Sequence, residues 1–331
     1  MRPSAPSIVR CLKKFLPAAA LAALAVACSG TSFVDESVSQ NAGSALTQST
    51  PDDVRVAAPF ITADELWKKV EEMVDLGPRH TASPAHDAFV DSLEAWMKRI
   101  GMIEIGRDTV TVTGPNGFTA PGAPTSGISH HLYGYLPGST NEDVLLGVHS
   151  DGQNSVEENG TIVAMAIVEH LSKLPKSMRK RGVLVVFPTA HMASADSEEA
   201  DGWVAAHPDR LKNVVAIVSP EHMGTISPFF RTPQDFRIWA TSRALRDAAT
   251  RATQAPKIPA TTIASYGIGS AIIWRNATKL PTLGGMSIPY YLFDPSKEME
   301  VLEKTRLHQQ AESFRRIMLS VDAMSKADLG D

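Results

Sequence analysis

The chain has 331 residues, 43% hydrophobic and 21% charged, proportions that exclude a disordered chain or a fibre. That length accommodates one large α/β domain or two small ones. A net charge of -4 at pH 7, with no basic stretch interleaved with aromatics, excludes a nucleic-acid surface, so no nucleic acid is expected as a partner.

The N-terminus is built as a leader. Arg2, Arg10, Lys13 and Lys14 precede an uncharged, Ala- and Leu-rich run from Leu16 to Ala27, which ends in Ala25-Val26-Ala27 ahead of Cys28. The run is too short for a bilayer span and carries an A-x-A cleavage pattern, so residues 1–27 read as a signal peptide. Cys28 after small residues resembles a bacterial lipobox, although Ala25 stands where Leu is usual. Lipidation of Cys28 is therefore expected, with membrane attachment through that anchor and a location in the bacterial cell envelope. Residues 28–60 read as a flexible tether, Ser-, Thr-, Gly- and Asp-rich without a period. The only other cysteine, Cys11, lies in the leader; the mature chain then holds no internal disulfide, and its stability rests on a packed core.

Residues 61–331 read as a single domain. Thr62 and Glu65 form a capping box, followed by Trp67, Val70 and Val74 at helical spacing and a stop at Gly77-Pro78. Ser83-Pro84 opens a second helix with Phe89, Leu93, Trp96, Met97 and Ile100 as its apolar stripe and Gly101 at its end. Residues 108–136 alternate and predict two strands joined by a Gly/Pro-rich loop over 114–128. Val144 to Val148, Val183 to Phe187 and Val214 to Val218 are short, nearly continuous apolar runs, as central parallel strands covered on both faces require. A helix from about Glu158 to Lys173 and a helical stretch from Trp203 to Leu211 separate them. Arg237 to Ala240 and Pro289 to Phe293 are candidate further strands. A last amphipathic helix points Leu307, Ala311, Phe314, Met318 and Val321 inward. Strand alternating with helix predicts an α/β fold with a mostly parallel central sheet and helices on both faces.

In such sheets ligands bind beyond the carboxyl ends of the strands. The three central runs are followed by His149-Ser150-Asp151-Gly152, Thr189-Ala190-His191 and Pro220-Glu221-His222, and Glu157-Glu158 lies where the first loop enters its helix. Imidazole and carboxylate together suit Zn²⁺ or a similar divalent ion. A single His after a strand is ordinarily a solvated loop residue or a cap, and His80, His86, His130, His131, His170 and His207 are read so. Three coincident strand ends are not. A G-x-S-x-G elbow and a Walker A sequence are absent, Gly267-Ile268-Gly269 lacks a third glycine, and the domain after the tether contains no cysteine for thiol catalysis.

These residues resemble the M28 zinc peptidases, the bacterial aminopeptidase and glutaminyl-cyclase-like group. Asp75-Leu76-Gly77-Pro78-Arg79, then Phe89 to Gly101, is similar to the opening of that family. His149-x-Asp151 resembles its H-x-D, Glu158-Asn159-Gly160 its metal-bridging helix start, Val183 to His191 the strand leading to its Glu-Glu pair, and Glu221-His222-Met223-Gly224 its D-M-I-G element. The similarity covers about residues 62–322. It implies a three-layer zinc-aminopeptidase-like sandwich with one or two Zn²⁺ ions. It further implies His149, Glu221 and either Glu157 or Glu158 as metal ligands, with His222 a further candidate ligand in a rebuilt site, Asp151 orienting His149, and hydrolysis of a peptide or small amide substrate by a metal-activated water. The chain departs from the family where Val156 falls at the bridging acid, His191-Met192 replaces the Glu-Glu pair, and no histidine follows Tyr290-Tyr291-Leu292-Phe293 until His308. His308, beside the apolar stripe of its helix, reads as structural. His191 is expected to take the vacated base or ligand role. The alternative is an inactive binding or scaffold protein on a decayed peptidase fold.

Overall fold

The computed structural model describes Arg55, residues 58–225, 236–258 and 261–264, Gly267, and residues 269–289 and 291–330. The leader, Cys28 and most of the tether lie outside them. Contacts begin before Thr62: Arg55 is buried and ion-paired with Asp322, and the Pro59 carbonyl accepts a bond of 3.0 Å from His170 Nδ1.

Helix α1 (Ala63–Val74) starts on the Thr62–Glu65 capping box, and α2 (Pro84–Arg99) on Ser83 Oγ, which accepts from the His86 amide. The buried face of α1 is Leu66, Val70 and Met73, about one residue out of phase with the expected stripe; Trp67 and Val74 are only half-buried. Strands β1 (Ile103–Gly114) and β2 (Gly127–Leu136) form an antiparallel pair. The expected central strands are β3 (Asp143–Gly147), β4 (Gly182–Phe187) and β6 (Val214–Pro220), every residue buried. Between them come α3 (Ser155–Lys173), the two-residue β5 (Ser194–Ala195) and α4 (Glu199–Ala206). Helix α3 starts three residues earlier than expected, because Asn154 Oδ1 caps it by accepting from the Val156 and Glu157 amides. The stretch from Trp203 divides into the end of α4 and a 3₁₀ turn at Pro208–Leu211, the proline ending regular helix.

Then follow β7 (Phe236–Ala240), α5 (Arg243–Gln254), β8 (Thr261–Ala264), α6 (Ser270–Thr278), β9 (Thr282–Met286), α7 (Lys304–Ala323) and α8 (Lys326–Gly330). The strand expected over 289–293 is instead a turn at 291–293, and β9 lies earlier. Glycine hid it. Gly284 and Gly285 face Ala271 and Phe314 so closely that a Cβ would lie 2.2 Å and 2.8 Å from them, so β9 gives up β-propensity to admit helices on both faces.

Among the described residues the sheet has the order β5-β1-β2-β4-β3-β6-β9-β7-β8. The neighbours β4-β3-β6-β9 are parallel; β5, β1 and β2 join antiparallel on one side, and β7 pairs antiparallel with β9 on the other. Alternate residues of the central strands point to opposite faces. Val144, Leu146, Val183 and Val185 enter the large core with α1, α2, α3, α5 and α7. Leu145, Leu184 and Ile217 enter a smaller one with Trp203 of α4 and Trp274 of α6. Helices on both faces of a mixed sheet make a three-layer α/β sandwich. Within it β3, β4 and β6 are adjacent, so their three carboxyl-end loops share one edge.

Candidate metal centre

Close packing of α3 builds the site. A Cβ on Gly160 would lie 2.1 Å from the Pro220 carbonyl, so glycine lets the first turns of α3 lie against the end of β6. Asn159 locks that approach: its Nδ2 donates to the Met223 carbonyl and its Oδ1 accepts from the Met223 amide, both at 2.8 Å. Thr161 Oγ1 donates to the His149 carbonyl at 2.7 Å. Glu157, in the first turn of α3, thereby meets the loops that carry His149, Glu221 and His222.

Three imidazoles are oriented in the same sense. His149 Nδ1 donates to the Asp151 carbonyl at 2.8 Å, His222 Nδ1 to the Ser287 carbonyl at 2.9 Å, and His191 Nδ1 to Glu199 Oε2 at 3.0 Å. Each partner fixes the tautomer and turns the Nε2 lone pair inward. His149 and His191 stack at 4.2 Å. His149 Nε2 lies 3.3 Å from Glu221 Oε1, His191 Nε2 3.5 Å and His222 Nε2 3.9 Å from Glu157 Oε1. His149 Nε2, His222 Nε2 and both Glu157 oxygens are buried without a hydrogen-bond partner. Buried polar atoms are normally satisfied, so four orphaned lone-pair atoms at one place fit a cation. Two groups, His149–Glu221–His222 and His149–Glu157–His191, have donor atoms within 4.8 Å of one another and can coordinate a metal ion.

The buried acids set the electrostatics of the cluster and favour positive charge within it. Burial works to lower the His191 pKa, but Glu199 and Glu157 outweigh it and hold it well above the ordinary value. His149 is also raised: Glu221 and Glu199 overcome burial and the neighbouring His191. Burial would raise Glu221; its contacts with His149, His222 and Ser270 bring it to about 2. His222 is lowered, chiefly by burial.

The remaining residues singled out in the sequence fall as follows. Glu158 is turned away from the cluster, paired with the buried Arg79, and burial raises its pKa to about 7 against that pairing. The Asp151 carboxylate does not reach His149. It accepts from Thr81 Oγ1 and from the His191 and Met192 amides at 3.1 and 3.4 Å, so it tethers the next loop while its main-chain carbonyl orients His149. His86 and His131 are not solvated but buried and hydrogen-bonded through both ring nitrogens. His308 Nε2 donates to the Ile61 carbonyl at 2.7 Å.

Two participants escaped the sequence reading. Glu199 holds His191, and Ser270 Oγ lies 2.8 Å from Glu199 and 2.6 Å from Glu221, while the Ser270 amide also donates to Glu221. The adjacent acids Glu198-Glu199 after the second central strand were the available signal for the first; Ser270 offered none. The site also stores strain. Ala190, Glu199 and His222 have φ of 67°, 42° and 48°, left-handed conformations that cost on the order of 1–3 kcal/mol each and persist where surrounding contacts hold them. At the mouth, Phe118 stacks on His191 at 6.0 Å and meets Phe293 at 5.3 Å. These two rings are 46% and 49% exposed.

No protein-family model and no curated protein matches the sequence. Among solved structures the chain is similar to a glutaminyl cyclase from Porphyromonas gingivalis, with TM-score 0.64 and 14% identity over 78% of this chain and 98% of that one. It is also similar to a zinc aminopeptidase from Bacillus subtilis, with TM-score 0.65 and 10% identity over 82% of this chain and 98% of that one. The Legionella pneumophila aminopeptidase LapA gives 0.63 and 11% over 87% and 78%. At such identities the likeness establishes the fold: that of the M28-like zinc peptidases and glutaminyl cyclases.

Proposed function

We propose that the protein is a metal-dependent hydrolase of the M28 type that cleaves a peptide or small amide bond, with zinc as its metal. The observation that carries this reading is the convergence of His149 Nε2, His222 Nε2 and the Glu157 carboxylate, buried and without partners, beside Glu221. His149, Glu221 and His222 would hold the ion, with Glu157 next to His222. A divalent ion there supplies Lewis acidity, polarising the scissile carbonyl and making water acidic enough to react near neutral pH.

His191 is the base in this reading. Its side chain is 16% exposed, whereas those of His149, Glu157, Glu221 and His222 are at most 4% exposed, so His191 alone of the five faces both the centre and the mouth. Glu157 and Glu199 favour the charged imidazole; a cation held beside it would offset them and leave Nε2 free to take the proton of the attacking water and hand it to the leaving nitrogen. Glu199, bonded to Nδ1, stabilises the imidazolium between the two transfers. The Asp151 carboxylate fixes the loop on which His191 rides. Phe118 and Phe293 receive an apolar group of the substrate. The leader and Cys28 support a location in the cell envelope on a lipid anchor. Among the described residues no helix is long and apolar enough to cross a membrane.

The test is metal analysis of tag-free protein alongside a panel of aminoacyl and peptide substrates. Stoichiometric zinc, lost in His149→Ala and Glu221→Ala, and turnover lowered about 10²–10⁴-fold in His191→Gln at full metal content are expected. Unchanged metal content in both ligand variants removes the centre. Zinc binding with no turnover on any substrate leaves a binding protein.

A further inference from the structure

Beside the residues of the candidate centre, a chain of buried polar groups runs between elements far apart in sequence. Thr189 and Ser129 hydroxyls lie 2.7 Å apart, Ser129 Oγ lies 3.2 Å from His86 Nδ1, and His86 Nε2 lies 3.0 Å from Ser150 Oγ. Ser150 Oγ in turn donates to the Pro188 carbonyl at 3.3 Å. That last bond uses the only Ser150 hydroxyl proton, so His86 Nε2–H donates to Ser150 and His86 Nδ1 accepts from Ser129. The Ser129 oxygen then accepts from Thr189. The second branch is fixed by a backbone amide: Thr189 N–H donates to His131 Nδ1 at 3.0 Å, which places the proton on His131 Nε2, 2.9 Å from Ser197 Oγ. Each donor in the chain is used once, and both imidazoles are neutral Nε2–H tautomers. The three imidazoles of the centre carry the opposite, Nδ1–H tautomer.

The ends of this chain lie beside the residues that make the centre. Ser150 follows His149, Thr189 precedes Ala190-His191, and Ser197 lies two residues before Glu199. The Thr189 carbonyl also accepts from the Glu199 amide at 2.8 Å. The segment from Thr189 to Glu199 is thus held at both ends, and it contains two of the left-handed residues, Ala190 and Glu199, which need contacts from outside the segment to stay in place. All six side chains except Ser197 are buried, where solvent cannot replace a lost partner.

We propose that His131 and His86 are positioning residues: through Thr189, Ser129, Ser150 and Ser197 they hold the loops of His149, His191 and Glu199 in the geometry that receives the ion. The proposal rests on the metal-centre reading for its consequence, but its structural core, the closing of the His191–Glu199 pair, exists without metal. Asparagine at 131 retains an acceptor near the Nδ1 position, whereas leucine retains the volume and no acceptor.

The experiment uses full-length protein labelled with ¹⁵N-histidine, first stripped of metal by chelation. The His191 Nδ1–H resonance is assigned by its disappearance in His191→Gln. It is expected to persist in His131→Asn and to vanish into solvent exchange in His131→Leu. Zinc affinity, read by competition with a chromophoric chelator, should fall about 10–100-fold in His131→Leu and less than about threefold in His131→Asn, a rescue that mere core filling does not produce. Should His131→Leu fail to fold, Ser129→Ala cuts the other branch and is read the same way. A folded His131→Leu or Ser129→Ala protein that keeps the His191 resonance overturns the inference. If wild type binds no zinc yet the resonance responds as stated, the metal-centre reading falls and the positioning chain stands.

Discussion

Glu157 is where function and stability pull apart most clearly. Both its oxygens are buried without a hydrogen-bond partner, and the nearest cationic candidates, His191 and His222, stand 3.5 and 3.9 Å away, beyond good bonding distance. Burying a carboxylate costs several kcal/mol, which imidazoles at these distances offset only in part, and the Glu158, Glu199 and Glu221 side chains lie in the same buried region. Glu157→Gln keeps the shape and removes the charge, so the metal-free variant should melt higher than metal-free wild type. About 1 kcal/mol corresponds to roughly 2–4 °C in a domain of this size, so a rise of a few degrees is expected. Metal reverses the order. Zinc at 100 times its Kd stabilises wild type by about 2.7 kcal/mol, or roughly 5–10 °C, and a hundredfold loss of affinity in the variant removes most of that shift. The assay is differential scanning calorimetry of both proteins, each stripped with chelator and then saturated with zinc. A Glu157→Gln protein less stable than wild type when metal-free, or with an undiminished zinc-induced rise, refutes the reasoning.

Three further outcomes are expected. Burial, opposed by Asp108 and Asp151, lowers His131 to about 4 from an ordinary 6.5; the unfolded chain then binds the extra proton first, so the stabilisation is complete above about pH 6.5 and is lost as pH falls toward 4. The advantage of wild type over the non-titrating His131→Asn should therefore shrink by about 3 kcal/mol between pH 7 and pH 4 in urea titrations, and a pH-independent difference contradicts it. Phe118→Ala should raise KM about 2- to 10-fold for substrates with an aromatic or large apolar side chain and leave a glycyl substrate unaffected; equal effects on both count against a substrate contact. Cys28→Ala should release the protein from the membrane to the soluble fraction, and mass spectrometry should find an acylated Cys28 as the wild-type N-terminus; an unacylated one removes the anchor.

Much of this was legible along the chain because the signals are local. Continuous apolar runs marked β3, β4 and β6, capping residues marked α1 and α2, and the residue types after each central strand pointed to the edge where His149, His191, Glu221 and His222 now stand. Amphipathic period identified α7 for the same reason: burial on one face of a regular element repeats in the sequence that forms it. Where local propensity was sacrificed to packing, the reading failed. The glycines of β9 serve neighbouring helices, and no pattern within that strand records them.

The choice between Glu157 and Glu158 was of another kind. Successive helical residues point about 100° apart, so the start and seating of α3 decide which acid enters the centre. Asn154 sets that start, and Gly160 against Pro220 sets the seating. Tertiary structure then turns Glu157 to the histidines and Glu158 to Arg79. Which groups Glu199, Ser270, His86 and His131 meet was beyond sequence reasoning for a related cause. Their partners lie between 8 and 71 positions away, and a hydrogen bond of 3 Å between such residues leaves no periodicity behind. The sequence by itself determined which strands form and which chemistry follows them; only the packed structure decided which lone pairs meet, because that depends on the phase and approach of elements that neither the local period nor residue type encodes.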